Sequence, residues 1–252
     1  MIFLARTRSP SEWKVIAGAI QTLVDEASFE ATAEGLIFRA MDPSHVALID
    51  LEWPNTAFDR YECDQQFRFT VRVEDFVKVL KTAGANDQVE IASEDGETLT
   101  FKMQDGYKKE FSIHLLESTQ SPTPLPKVSF NARIVMVQDV FEKILKDINT
   151  ISDHVTIEAD EAKVVFTGKS DLGRGAITVD QGSNDLLELK VKEASKATYS
   201  LDYLLNITKA VGKAAEKVVC ELSSKMPLRL EFDLGEQGGK IRFYLAPRIE
   251  EG

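Results

Sequence analysis

Seven lysines stand at helical spacing in four separate stretches of this chain. Lys14 is alone, Lys78 and Lys81 lie three apart, Lys143 and Lys146 three apart, and Lys209 and Lys213 four apart. Side chains three or four residues apart share one helix face, and each pair avoids the apolar stripe of its own stretch. Ammonium groups placed this way suit phosphate, through contacts that carry no base information and weaken with salt. Two readings stand side by side: four solvated amphipathic helices, or four helices that together line one basic surface. The net charge is −11, from 41 acidic and 30 basic residues. An acidic average argues against a nucleic-acid partner. An acidic outer surface can still coexist with a basic inner one, so placement of the lysines decides the matter.

Other residues invite catalytic readings and do not sustain them. Asp42 near His45 suggests a dyad, but no Ser or Cys nucleophile context accompanies it. His45 reads instead as structural or lining a pocket, and His114 and His154 are isolated. Gly168-Lys169-Ser170 has the end of a phosphate loop, yet Lys163 occupies the place of the upstream glycine, so a turn is expected there. Cys63 and Cys220 stand far apart without metal-like spacing and are expected as reduced thiols. No metal site and no cofactor are expected, and no enzymatic constellation stands out.

The elements that must carry the lysines form a duplicated series. Residues 74–84, Glu-Asp-Phe-Val-Lys-Val-Leu-Lys-Thr-Ala-Gly, reappear in outline at 202–212 as Asp-Tyr-Leu-Leu-Asn-Ile-Thr-Lys-Ala-Val-Gly. The offset is about 128 residues. Helical periodicity is expected over Trp13–Val24, Glu74–Thr82 with Gly84 in the position after its end, Gln138–Asn149 and Leu201–Val211. Alternating apolar residues mark eight or nine short strands in each half, among them Gln88–Ser93, Lys163–Gly168, Leu186–Val191 and Leu228–Leu234, with hairpin turns at Asp95-Gly96 and Asp105-Gly106. Sheets dominate and the helices are segregated, an α+β pattern. Three prolines fall within Pro122-Thr123-Pro124-Leu125-Pro126, which favours an extended connector. The expected division is a first domain over 1–117, a connector over 118–128 and a second domain over 129–252. No apolar run approaches the roughly 18 residues of a membrane helix. Met1–Arg6 has no leader-like pattern, so an intracellular, cytoplasmic protein is expected.

Several segments resemble proliferating cell nuclear antigen, the sliding clamp family of eukaryotes and archaea. They are Met41-Asp42-Pro43-Ser44-His45-Val46-Ala47-Leu48-Ile49, Tyr61-Glu62-Cys63-Asp64, Leu80-Lys81-Thr82-Ala83-Gly84, Met226-Pro227-Leu228 and Tyr244-Leu245-Ala246-Pro247-Arg248-Ile249-Glu250. The Leu-Ala-Pro-Arg-Ile-Glu-Glu ending leans towards an archaeal member.

The resemblance implies a DNA-clamp fold of two domains and a homotrimeric ring whose helices face duplex DNA. Subunits would join by edge strands near Tyr107–Leu115 and Arg174–Val179. It also implies a pocket for a short motif carried by DNA polymerase, clamp loader, flap endonuclease and DNA ligase. Carried over by position, that pocket would involve Met41, His45, Leu48, Leu125, Pro126, Pro227, Tyr244, Ala246 and Pro247. Helix one holds only Lys14, and Asp202 stands where some relatives are basic, so the inner charge is expected to be thin. Rival readings are a heterotrimeric or checkpoint-type clamp subunit acting as a scaffold, and an enzyme.

Overall fold

Strand alternation and helical periodicity recur in the same order in both halves of the chain. The computed structural model describes residues 1–117, 123–235 and 238–249, apart from the side chain of residue 213. Residues 118–122 of the expected connector and the terminal Glu250-Glu251 lie outside the described residues. The first half runs β1 (Phe3–Thr7), α1 (Ser11–Gln21), β2 (Glu26–Thr32), β3 (Gly35–Met41), β4 (Ala47–Pro54), β5 (Arg60–Glu62), β6 (Phe67–Arg72), α2 (Val73–Lys81), β7 (Gln88–Ser93), β8 (Thr98–Asp105) and β9 (Tyr107–His114). The second runs β10 (Ala132–Val137), α3 (Gln138–Asn149), β11 (His154–Ala159), β12 (Lys163–Ser170), β13 (Gly173–Asp180), β14 (Leu186–Val191), β15 (Ser195–Ser200), α4 (Leu201–Val211), β16 (Lys217–Leu222), β17 (Leu228–Leu234) and β18 (Gly239–Leu245).

The repeat extends to strand pairing. The first half orders its strands β5-β1-β7-β8-β9 and β4-β3-β2-β6; the second orders them β14-β10-β16-β17-β18 and β13-β12-β11-β15. Individual hydrogen bonds repeat too. Val73 N donates to Asp25 O at 2.9 Å, and Leu201 N donates to Asp153 O at 2.9 Å. These bonds replace side-chain caps at α2 and α4, each of which begins directly from the preceding strand. The hydroxyls of Ser28 and Thr70 bond at 2.8 Å, as do those of Thr156 and Thr198. Such two-fold agreement is α+β duplication, and it is the clamp architecture expected from sequence.

The chain divides into two compact units: Met1–Thr123 with Asp233–Ile241, and Pro124–Phe232 with Arg242–Gly252. The tip of the β17–β18 hairpin therefore goes with the first unit, although its sequence lies in the second half. In that unit α1 packs on α2 over an aromatic core, with Phe29 stacked on Phe69 at 5.2 Å and Trp13 edge-on to Trp53 at 4.7 Å. In the other unit α3 packs on α4, and Phe141 meets Phe166 edge-on at 6.1 Å. Each fully buried Phe contributes roughly 2–3 kcal/mol by leaving water.

Three local expectations need correction. Gly84 is not a left-handed helix end: α2 closes through Thr82 and Ala83, whose amides bond Val79 and Leu80. Only α4 ends on a glycine with positive φ, Gly212 at 53°. Gly168-Lys169-Ser170 is the end of β12 rather than a turn. Gly168 is glycine because a Cβ there would lie 2.7 Å from Ile148 Cγ2, at the end of α3. The first helix also stops at Gln21, short of the expected Val24, with the amides of Leu23 and Val24 folding back onto Ile20 O.

The end of α2 is held from two sides. Lys14 Nζ donates to Ala83 O at 2.7 Å, and Lys109 Nζ donates to Thr82 O at 3.0 Å. Cations at helix carbonyls are favourable. Asp87 organises the site, accepting from Gly84 N at 2.7 Å and from Lys109 at 2.5 Å. Lys109 holds the Asp87 carboxyl below its ordinary value, chiefly by that hydrogen bond. A carboxyl whose pKa is depressed by folding stabilises above its unfolded value, about 4. The contribution fades as pH falls through the lower folded value. Asp87→Ala is therefore expected to cost roughly 2–3 kcal/mol at neutral pH. In urea melts of wild type and variant, the gap should close on acidification. A gap that is unchanged between pH 7 and strong acid would refute this role.

Candidate nucleic-acid and partner interfaces

The helical lysines separate into three groups. Lys14 is half-buried and spent on α2, so its charge serves the fold. Lys78, Lys143 and Lys146 pair with acids one turn away, Glu74 at 2.6 Å, Asp147 at 3.1 Å and Glu142 at 2.5 Å. Glu74 holds Lys78 above its ordinary pKa through their hydrogen bond. Lys81 and Lys209 are exposed and have no partner among the described residues. They are the same position of the repeat, near the ends of α2 and α4. The side chain of Lys213 lies outside the described residues. Exposed pairs of this kind are worth under about 1 kcal/mol, so an incoming phosphate can compete for their lysines. Lys81 and Lys209 need break nothing.

Among the strands that end a sheet, two are eight residues long. β9 ends one sheet of the first half and β13 ends one sheet of the second. Beside these edges lie apolar side chains in water: Tyr107 is 68% exposed and Leu172, just before β13, is 81% exposed. A long open edge with apolar side chains is a pairing template.

The residues expected to form a docking pocket fall in both units. In the first, Met41 is exposed at the end of β3, Leu48 is buried on β4, and His45 sits between them in the exposed loop. His45 adopts a φ of 58°, which the loop imposes. Asp42 builds that loop, its carboxylate accepting from the amides of Ser44, Val46 and Ala47 at 3.2, 2.8 and 2.7 Å. Both of its oxygens thus accept from backbone, which makes Asp42 the organiser of the loop.

In the second unit Leu125 is exposed, while Pro126, Pro227, Ala246 and Pro247 are partly so. Tyr244 is 8% exposed, and its hydroxyl bonds the Arg229 guanidinium. Arg229 is itself ion-paired with Glu221 and lies 5.0 Å from the centre of the Phe130 ring. This bracing has no local sequence signal, because its members come from separate strands and from Phe130 just before β10.

Cys63 and Cys220 are both free and buried, and burial raises both thiols above their ordinary pKa. They are poor nucleophiles. No cluster of metal-ligand type occurs among the described residues.

The model of the proliferating cell nuclear antigen N-terminal domain matches residues 2–119, and that of the C-terminal domain matches residues 124–248. The chain belongs to the proliferating cell nuclear antigen family. Its relatives include the DNA polymerase sliding clamp of Cenarchaeum symbiosum, 47% identical over 99% of each chain, and that of Nitrosopumilus maritimus, 45% identical over 99% of this chain and 100% of the relative. The crystal structure of PCNA from Thermococcus kodakaraensis superposes with a TM-score of 0.93 over 98% of this chain and 100% of its own, at 23% identity. That likeness establishes the clamp fold.

Proposed function

We propose that this chain is a DNA sliding clamp of an archaeal cytoplasm. Three copies close head to tail around duplex DNA, raise the processivity of a replicative DNA polymerase, and present one peptide pocket to polymerase, clamp loader, flap endonuclease and DNA ligase. The reading is of a scaffold and not an enzyme. The observation that carries it is the full-length match, both domains in order, to archaeal relatives named DNA polymerase sliding clamp.

Duplication supports ring closure. Within the first unit the tip of β18 lies beside β4, and a Cβ on Gly239 would meet Trp53 Cδ1 at 2.8 Å. By the repeat, β18 corresponds to β9 and β4 corresponds to β13. The placing of the β18 tip beside β4 within the first unit thus suggests a counterpart, β9 of one copy against β13 of the next. A heterologous contact of this kind closes into a ring when its rotation divides the circle.

Lys81 and Lys209 support the DNA reading, six ammonium groups per trimer that have no ion-pair partner among the described residues. Met41, His45, Leu48, Leu125, Pro126, Pro227, Tyr244, Ala246 and Pro247 are proposed to line the docking pocket. Met adapts to several partners there, and the braced tyrosine supplies a rigid aromatic wall.

The direct test is primer extension on a closed primed circle with polymerase and clamp loader. Long products that require this chain are expected; products of unchanged length would refute the function. Lys81→Ala with Lys209→Ala is expected to leave native mass unchanged and to lower the salt slope of DNA binding by about one per lysine engaged. An unaltered slope would remove these two from the DNA surface.

A further inference from the structure

The second domain carries nitrogen donors at three positions whose first-domain counterparts lack them, while Arg39, paired with Asp50, stands in the first domain where the second has Thr167. On one face of its four-stranded sheet, Thr167, Thr156 and Thr198 stand in register across β12, β11 and β15. Past that row lie His154, Lys169 and Ser152, and the chain leaving β18 returns along the β15 edge, Arg248 N donating to Thr198 O at 2.7 Å. Together they line a cavity of about 680 Å³, within the usual range for small-ligand sites.

The chemistry of the lining is one-sided. Arg248 lies 2.9 Å from His154 Nδ1 through its guanidinium nitrogen Nη1. A guanidinium can only donate, so Nδ1 is the acceptor and the ring proton resides on Nε2. His154 is thereby a neutral donor fixed in one tautomer beside Arg248, and Lys169 lines the same cavity. Burial first, then the Arg248 charge, hold His154 below its ordinary pKa, with Asp153 opposing. Among the described residues, no carboxylate lines it. The nearest acid along β11 on this face, Glu158, is paired with Lys196 at 3.3 Å.

The repeat shows that the fold does not require these cations. In the first domain the hydroxyl pair is kept as Ser28 and Thr70, and the returning chain is kept, Leu116 N donating to Thr70 O at 2.8 Å. The positions matching His154, Lys169 and Arg248 hold Glu26, Met41 and Leu116. An acid and two apolar residues in one copy have become three nitrogen donors in the other. We propose that this cavity, formed by His154, Lys169 and Arg248 over the threonine row, binds a phosphate group.

Transverse-relaxation-optimised NMR of the full-length protein tests this, with inorganic phosphate titrated at constant ionic strength in chloride. Saturating shifts are expected at the His154 ring and at the Thr198 and Arg248 amides, together with a rise in the His154 pKa. O-phosphoserine should give the same shifts if a side-chain phosphate fits, and inorganic phosphate alone if only the free ion does; either pattern supports the site. Arg248→Leu is expected to weaken binding about ten-fold or more, as loss of a charge-assisted contact does, and Lys169→Met by a smaller factor. Shifts that never saturate, that survive Arg248→Leu unchanged, or that acetate reproduces at equal concentration would each overturn the proposal.

Discussion

A proline placed in β13 should convert the native particle from about 84 kDa, three chains closed by rotation, to the 28.1 kDa of one chain. The reasoning is geometric. β13 is paired with β12 on one side only. In an antiparallel strand, successive residues turn their amides to opposite sides. Of Ala176→Pro and Ile177→Pro, one therefore removes a bond to β12 and the other removes only an amide facing the open edge. Proline is tolerated on an edge when its missing donor faces outward. The outward variant should keep the wild-type circular dichroism and melting temperature while light scattering reports a monomer. The inward variant should lose stability. If both variants fold and both retain the wild-type trimer mass, β13 is not the joining edge. A wild-type particle at the single-chain mass would point instead to a subunit awaiting different partners.

The same edge arithmetic shows what one sequence can disclose. Helices α3 and α4 were legible to the residue, because Phe141, Ile144, Leu145 and Ile148, or Leu204, Ile207 and Val211, recur at helical spacing with polar residues between. The sheet order was not read from alternation, which gives a strand its two faces but not its neighbours. Duplication adds that one connectivity should occur twice, without naming which strands are neighbours. The return of the hairpin tip to the first unit was invisible, for nothing in residues 233–241 names β4 as a neighbour.

Among the candidate sites the split is similar. The fates of Lys78, Lys143 and Lys146 were readable, because Glu74, Asp147 and Glu142 stand four residues away on the same helix face. That of Lys14 was not: its acceptor is a carbonyl at the end of another helix, 69 residues along. His154 looked isolated because Arg248, which fixes its tautomer, lies 94 residues away. Chemistry made by long-range contact has no local pattern, and only the fold brings it together. Asp42 illustrates the converse. Its spacing to His45 suggested a dyad, while the spacing to Ser44, Val46 and Ala47 describes a loop built on one carboxylate.

Tyr244→Ala should weaken binding of a peptide with a Gln, an aliphatic residue and two aromatics by about 100-fold, the scale of a central aromatic contact. The trimer mass should not change, because Tyr244 belongs to neither β9 nor β13. Its side chain is packed to 8% exposure and its hydroxyl is tied to Arg229, so the wall proposed for it would be held in place before a partner arrives. Pre-organisation of this kind spares the binding event the entropy of ordering a side chain. Tyr244→Phe keeps the ring and loses only the tie to Arg229. It should cost about 1 kcal/mol, the usual net worth of one hydrogen bond, and so fall between wild type and alanine. Fluorescence anisotropy of a labelled peptide, with circular dichroism to confirm folding, separates the three. A folded alanine variant that binds as wild type would remove Tyr244 from the pocket. A phenylalanine variant as weak as alanine would mean that the brace, and not the ring surface, carries recognition.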